Sequence, residues 1–323
     1  MTETILAEQA GYLIEVARRA PSLHNTQPWH FTVNGDELEL YADVSRQLLV
    51  DPEGREMIIS CGAALYGLRL AVRSLGYLPE VELLPSPADR NLLARVRRGP
   101  AVPATAQERK MLAAVPHRHT HRGPFEAGPL PAGLLTRLQD DARAQGATLT
   151  EIGPGRTRRE LMVLVAASDR TQDRDPRSRA ETCRWSHGAA GQERDGVPAH
   201  AFAAAPSQEP VRLPQRDFDL GRGLGLLPGD GPVPAVIAVL STAGDHRRDW
   251  LHAGQALHRL LLDAATQWVF ASLNSQPLEN AGTRTLIRDR LALPGAPQML
   301  LALGISRTAH PTARRPADDL IGP

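Results

Sequence analysis

Two short segments of this 323-residue chain concentrate side chains that could hold a ligand. The first is Pro116-His-Arg-His-Thr-His-Arg-Gly-Pro-Phe125. In an extended backbone alternate side chains share a face, so Arg118, Thr120 and Arg122 point one way and His117, His119 and His121 the other. Two guanidinium groups and a hydroxyl can grip a phosphate through charge-assisted hydrogen bonds. Three neutral imidazoles can instead bind zinc, although flanking arginines oppose a dication; a plain solvated loop is the third reading. The second segment is Ala20-Pro-Ser-Leu-His-Asn-Thr-Gln-Pro-Trp-His-Phe31. Pro21 and Pro28 stiffen it, and Ser22, Asn25 and Gln27 offer donors and acceptors. These could meet the edge of a planar heterocycle such as an isoalloxazine, or could only cap backbone groups between a helix and a strand.

The elements that would position these segments follow from periodicity. A helix is expected over 3–19, ended by Pro21, with a turn at 21–28. A hairpin follows, with strands 30–33 and 37–41 around Asn34-Gly35-Asp36. Helices are expected at 55–76, 105–115, 129–145, 155–168, 249–268 and 282–292, and strands at 92–98, 233–240 and 298–305. Phe270–Asn280 reads as a loop. Residues 170–232 are rich in Arg, Asp, Gly, Pro and Ala with little periodicity, which suggests a functional lid. Trp185 or Phe202 is the aromatic candidate to cover a ligand there.

An internal repeat is the most informative global feature. Gly62-Ala-Ala-Leu-Tyr-Gly-Leu-Arg-Leu70 matches Gly254-Gln-Ala-Leu-His-Arg-Leu-Leu-Leu262 at Gly, Ala and three Leu positions, an offset of 192 residues. Each copy is followed by an apolar strand. A duplicated half-domain predicts two lobes related by a pseudo-twofold axis, with a site where they meet. Two amphipathic helices that share a common pattern by chance are the alternative.

The second segment, A-P-S-x-x-N-x-Q-P-W-x-F, resembles the signature loop of the FMN-dependent nitroreductases. Arg118-His-Thr-His-Arg122 looks like the R-x-S/T-x-R/K segment with which nitroreductase subunits grip the FMN phosphate. Each motif occurs once, with the phosphate segment in mid-sequence, which resembles the Acg-like subgroup of fused lobes around one FMN. The resemblance implies an α+β fold whose two lobes, 1–104 and 105–323, each hold an antiparallel-rich mixed sheet flanked by helices. It implies that FMN is held by Pro21, Ser22, Leu23, Asn25, Gln27, Arg118, Thr120 and Arg122. Asn274-Ser-Gln-Pro-Leu-Glu279 resembles the family loop whose backbone N–H groups lie near flavin N5, which adds Pro277, Leu278 and Glu279. Arg314 resembles the C-terminal arginine that closes on the phosphate. The chain departs from the family at Met1-Thr-Glu-Thr, which lacks a second phosphate segment, and at the bulky Gln267-Trp-Val-Phe-Ala271.

The activity so implied is hydride transfer from NAD(P)H through flavin N5 to a nitroaromatic, quinone or conjugated carbonyl acceptor. Because the flavin carries that chemistry, no catalytic triad or metal is expected. Two alternatives stay open: an FMN-sequestering store with little turnover, and a zinc-binding protein using His117, His119 and His121. Apolar residues at 42% and charged residues at 23% describe an ordinary globular chain, and a net charge of +1 gives no field to recruit nucleic acid or a membrane surface. Only Lys110 among 37 basic residues is lysine, so single arginines say little and clustered ones are needed. Two distant cysteines, no signal peptide and no long apolar run fit a cytoplasmic protein. A fused pseudo-dimer would act as a monomer, with a homodimer still open.

Overall fold

The computed structural model describes residues 5–188, 193–204, 213, 215–228 and 234–322. The first lobe opens with helices α1 (Ile5–Glu8) and α2 (Ala10–Ala17) in place of the single helix expected. Strands β1 (Trp29–Asn34) and β2 (Glu37–Ala42) form the hairpin, with Asn34 paired to Glu37 across a two-residue turn in which Gly35 has φ +59°. Gly35, the first of the two turn residues, supplies the positive φ that such a turn requires. Helix α3 (Arg55–Ser74) leads to β3 (Tyr77–Leu83) and β4 (Leu92–Ala101). The sheet order is β1-β2-β4-β3, antiparallel throughout. Sequence reading passed over β3, an edge strand whose pairing shifts register between Tyr77 and Pro79.

After α4 (Ala106–Ala114), capped by Thr105 and Glu108, the second lobe comprises α5 (Leu134–Arg143), β5 (Ala147–Glu151), α6 (Arg156–Arg174), α7 (Pro176–Arg184), β6 (Ser186–His187), β7 (Val197–Pro198), β8 (Val236–Thr242), α8 (Arg247–Ala265), β9 (Val269–Asn274), α9 (Gln276–Glu279), α10 (Ala281–Arg290) and β10 (Ala296–Ile305). Its main sheet runs β5-β8-β10-β9, again antiparallel. Three expectations need correction. Helix 129–145 starts only at Leu134, after Pro131 and Gly133. The supposed loop at 270–280 is strand β9 followed by one helical turn. The supposed irregular stretch from 170 is helical as far as Arg184, because Asp175 caps a new helix that begins at Pro176.

The two sheets share one plan: two strands, a long helix, then two strands of which the last enters the middle. Helices α3 and α8 cross between them. A Cβ on Gly62 would collide with the Leu251 carbonyl oxygen, and one on Gly254 with the Ile59 carbonyl oxygen. Leu251 and Ile59 each lie three residues before the opposite glycine, so the contact is its own mirror under the 192-residue offset. The pseudo-twofold axis therefore passes between the two copies of the repeat. Helix α3 has the length and hydropathy of a membrane span, but 89% of that window is buried inside the protein, as befits a core helix.

The chain does not stay in its lobes. Residues 313–322 run back over the first lobe, where Ile321 bridges to Phe31 and Gly322 N–H donates to the Phe31 carbonyl at 2.7 Å. Thr120 forms a parallel bridge to Ala271 beside β9.

Candidate functional site

A pocket opens where the lobes meet, the kind of place where small-molecule sites form. Pro21, Ser22, Leu23 and His24 form one wall, and Ser272 to Gln276 form another. Thr120 and Arg122 come from the basic segment, Glu56, Ile59 and Ser60 from α3, and Gln215, Arg216 and Phe218 from the insertion.

The front wall is held in a conformation that the chain resists. His24, Asn25 and Gln27 all have positive φ (51°, 57° and 50°), and residues other than glycine adopt that region only when their surroundings force it. Here the side chains themselves supply the force. Asn25 Nδ2 donates to the carbonyls of Gly196 (2.9 Å) and Ala313 (3.0 Å). Gln27 Nε2 donates to the Arg194 carbonyl at 2.9 Å, and Gln27 Oε1 accepts from Arg315 N–H at 2.8 Å. Both amides thus knit the loop to the insertion and the tail. Neither is among the residues that line the pocket, although Asn25 Oδ1 is buried without a hydrogen-bond partner. Pro21, Ser22 and Leu23 do line it.

Arg122 lines the pocket, and beside it lie the buried Arg118 and the half-buried Arg314, close enough to repel one another and without an acid. Arg118 is 4% exposed; its Nη2 donates to the Arg19 carbonyl at 3.1 Å, while Nε and Nη1 have no partner. Arg122 also has a buried, unpaired Nη1, and its guanidinium lies 5.3 Å over the Phe218 ring. Arg314 donates to the carbonyls of Arg18 and Ala20. Among the described residues no carboxylate pairs with any of the three. Burial pushes Arg118 and Arg122 down to about 10, with the Arg122 charge adding to the effect on Arg118. Burial, then repulsion from Arg118 and Arg19, carries Arg314 well below its ordinary value. Cations withdrawn from water and turned on each other are costly, and an anion between them would relieve all three.

The histidines of the basic segment lie apart from that pocket. His117 stacks on Trp268 at 5.3 Å, His119 packs on Phe270 at 4.3 Å, and His121 on Phe125 at 4.5 Å. Among the described residues no three His, Cys, Asp or Glu side chains gather as metal ligands. Each ring packs on a different aromatic neighbour, and burial pushes His119 down to about 3, which keeps it neutral.

The described residues of the insertion fasten to both lobes and lend Gln215, Arg216 and Phe218 to the pocket. Arg46 pairs with Asp195, Glu181 accepts from Leu49 N–H at 2.7 Å, and Arg216 pairs with Glu279. Glu279 also accepts from Gln172 at 2.6 Å and Ser275 at 3.0 Å, so its carboxylate anchors the insertion; Pro277 and Leu278 are buried beside it, outside the pocket lining. The aromatic residue in the pocket is Phe218, not Trp185 or Phe202 as expected. Trp185 is engaged by Arg46 at 5.4 Å, and Phe202 packs behind Phe218 in a small core with Val197, Ala199 and Ala201. Phe218 holds His24 edge-on at 5.3 Å, and burial with the charges of Arg216 and Arg122 keeps His24 neutral. Phe218 and Glu56 are among the pocket residues that sequence reading does not single out. Phe218 lies in a stretch without periodicity, and Glu56 looked like an ordinary acid in a first helical turn.

No family model matches the chain. A Mycobacterium tuberculosis protein (strain ATCC 25618 / H37Rv) provisionally named NAD(P)H nitroreductase Rv3131 is 36% identical over 306 residues, covering 92% of this chain and 85% of that one. A second from the same strain, provisionally named NAD(P)H nitroreductase acg, is 28% identical over 312 residues, covering 95% and 93%. Among solved structures, a nitroreductase with bound FMN from Desulfitobacterium hafniense aligns with a TM-score of 0.40 at 16% identity, covering 65% of this chain and 95% of that one. The relationship thus rests on the sequence relatives.

Proposed function

The chain belongs to the nitroreductase family, and on that premise we propose that it is an FMN-dependent oxidoreductase that uses NAD(P)H to reduce a small nitroaromatic, quinone or conjugated carbonyl acceptor. The observation that carries this reading is the cluster of Arg118, Arg122 and Arg314, which has no acid among the described residues and reaches, through Arg122, a pocket walled by Pro21–Leu23 and Ser272–Gln276. The residues fit the group. A phosphate satisfies the unpaired guanidinium N–H groups and cancels the repulsion, and the space between the two walls takes a flat ring. When bound, FMN supplies the hydride-carrying ring system. The protein positions it: the arginines fix the phosphate, Thr120 adds a hydroxyl, and the strained front loop holds its wall still because its amides are spent on the backbone around it. Both lobes contribute from one chain, so the pocket is complete in a single copy.

The test is the double variant Arg118→Ala/Arg122→Ala. We expect wild-type protein to purify yellow and the variant to purify colourless with an unchanged circular dichroism spectrum. A variant that still carries stoichiometric FMN overturns the assignment.

One feature favours a second reading, in which the protein shields its flavin and turns over little. The insertion is fastened to both lobes, and Gln215, Arg216 and Phe218 narrow the pocket that a nicotinamide must enter. Anaerobic addition of NADPH separates the two. Prompt bleaching of the bound flavin marks the enzyme; absorption that persists for hours marks the store.

A further inference from the structure

Glu56 is the one carboxylate among the described residues that line the pocket. It stands in the first turn of α3, is 2% exposed, and is bonded to the Arg55 guanidinium. Arg55 is fixed in turn by Gln298, through its Oε1 at 2.7 Å and its carbonyl at 3.2 Å. A smaller space adjoins the pocket at Glu56, and Glu56, Ser60 and Leu23 line both. The rest of its lining is mixed, with Thr26, Arg46 and Asp51 beside Pro28, Leu48 and Met57. Glu56 thus stands between the site where electrons would be exchanged and a small space beside the first lobe.

Reduction of the acceptors named above consumes a proton that the nicotinamide does not supply. NAD(P)H gives up a hydride, two electrons and one proton, whereas a quinone reduced to a hydroquinone takes two electrons and two protons. We propose that Glu56 takes up the second proton when the pocket is reduced and hands it to the acceptor when the hydride leaves. In that step the acceptor oxygen becomes an oxyanion as hydride arrives, the Glu56 O–H bond breaks, and an O–H bond forms on the product. The carboxylate left beside Arg55 regains its proton from water through the smaller space. The inference rests on the flavin reading of the pocket.

The surroundings suit the role. Burial pushes the Glu56 carboxyl up to about 7 against the pull of Arg55, and Asp51 and Glu279 raise it further while Arg216 lowers it. The other titratable residues that line the pocket are Arg122, Arg216 and the neutral His24. Negative charge gained by the pocket on reduction raises a nearby carboxyl again, so protons are taken up in the neutral range.

The test is the midpoint potential of the bound flavin between about pH 6 and 8, in wild-type protein and in Glu56→Gln. One extra proton per two electrons steepens the dependence by about 30 mV per pH unit, the two-electron equivalent of tenfold. We expect that increment in the wild type, its loss in Glu56→Gln and its partial return in Glu56→Asp. An infrared difference spectrum of the wild type, which needs no variant, should gain a protonated-carboxyl band on reduction. Parallel potential lines together with no such band overturn the proposal while the flavin reading stands. Protein that neither carries nor accepts FMN overturns both.

Discussion

The two lobes share a strand plan and differ in what joins the strands. In the first, the connection from α2 to β1 spans residues 18–28 and carries three strained residues; in the second, the matching connection from α5 to β5 is the short turn 144–146, closed by Gly146 at φ +78°. The second lobe elaborates elsewhere. Where the first has the two-residue turn at Gly35-Asp36, the second inserts everything from α6 to β7 and beyond, and where β3 meets β4 through a short loop, β9 meets β10 through α9 and α10. The β9 strand is buried almost throughout, while β3 alternates between half-buried and exposed. The duplicated core supplies a frame, and each lobe has built its half of one pocket on a different connection.

The comparison breaks most completely at the axis itself. Gly254→Leu drives a side chain into the backbone of α3, and overpacking of this kind costs upwards of ~3 kcal/mol; we expect little soluble protein, measured as yield and melting temperature.

The insertion comes next. Arg216→Ala leaves Glu279 buried without its cation, an uncompensated charge that costs ~3–5 kcal/mol when one partner of a buried pair is removed. Urea melts should show the loss, and limited proteolysis should cut within 170–232 first. An unchanged protease map would mean that the insertion is held by other contacts.

A third difference lies between the helices. His258 of α8 stands where the 192-residue offset places Tyr66 of α3, and their rings meet edge-to-face at 6.0 Å. Burial pushes His258 down to about 3 from an ordinary 6.5, while its Nδ1 lies 2.6 Å from the Ala63 carbonyl. Below the ordinary value the unfolded chain binds a proton that the folded one refuses, so this contribution is full above pH 6.5 and is lost as pH falls toward 3. Stability should fall by about 1.4 kcal/mol per pH unit across that window on this account, and His258→Asn should flatten the slope by that amount in urea melts at stepped pH.

The smallest effect belongs to the solvent face of the first sheet. There Arg97 pairs with Glu37 at 2.5 Å while half exposed. Screened pairs of that kind contribute ~0.2–1 kcal/mol, so Arg97→Ala should barely move the melting temperature.

Much of this was legible in the sequence, for physical reasons. Asn34-Gly35 can hardly be anything but a tight hairpin turn. Helices α3 and α8 announce themselves because both are buried on most faces, and the repeated glycine is fixed by the close approach it permits. The strands β3 and β5 were passed over because they sit at sheet edges, where half the residues face water and the alternation is blurred. The end of α6 beyond 168 and the whole of α7 read as irregular because the buried apolar residues of α6, Leu161, Met162 and Val165, stop earlier and α7 has none, leaving an arginine-rich surface. The basic segment revealed its arginines, but Asn25 and Gln27 show the limit of residue types. An amide that could bind a ring edge can equally bind a carbonyl two segments away, and only the fold says which carbonyls arrive.

The tail fixes the order of events in the making of this molecule. Ala313, Arg314 and Arg315 lie far along the chain from the first loop, yet Ala313 and Arg315 hold its amides and Arg314 holds the carbonyls just before it. The strained loop can therefore settle only after the tail has docked, and cutting the chain before Ala313 should cost ligand capture before it costs the first sheet.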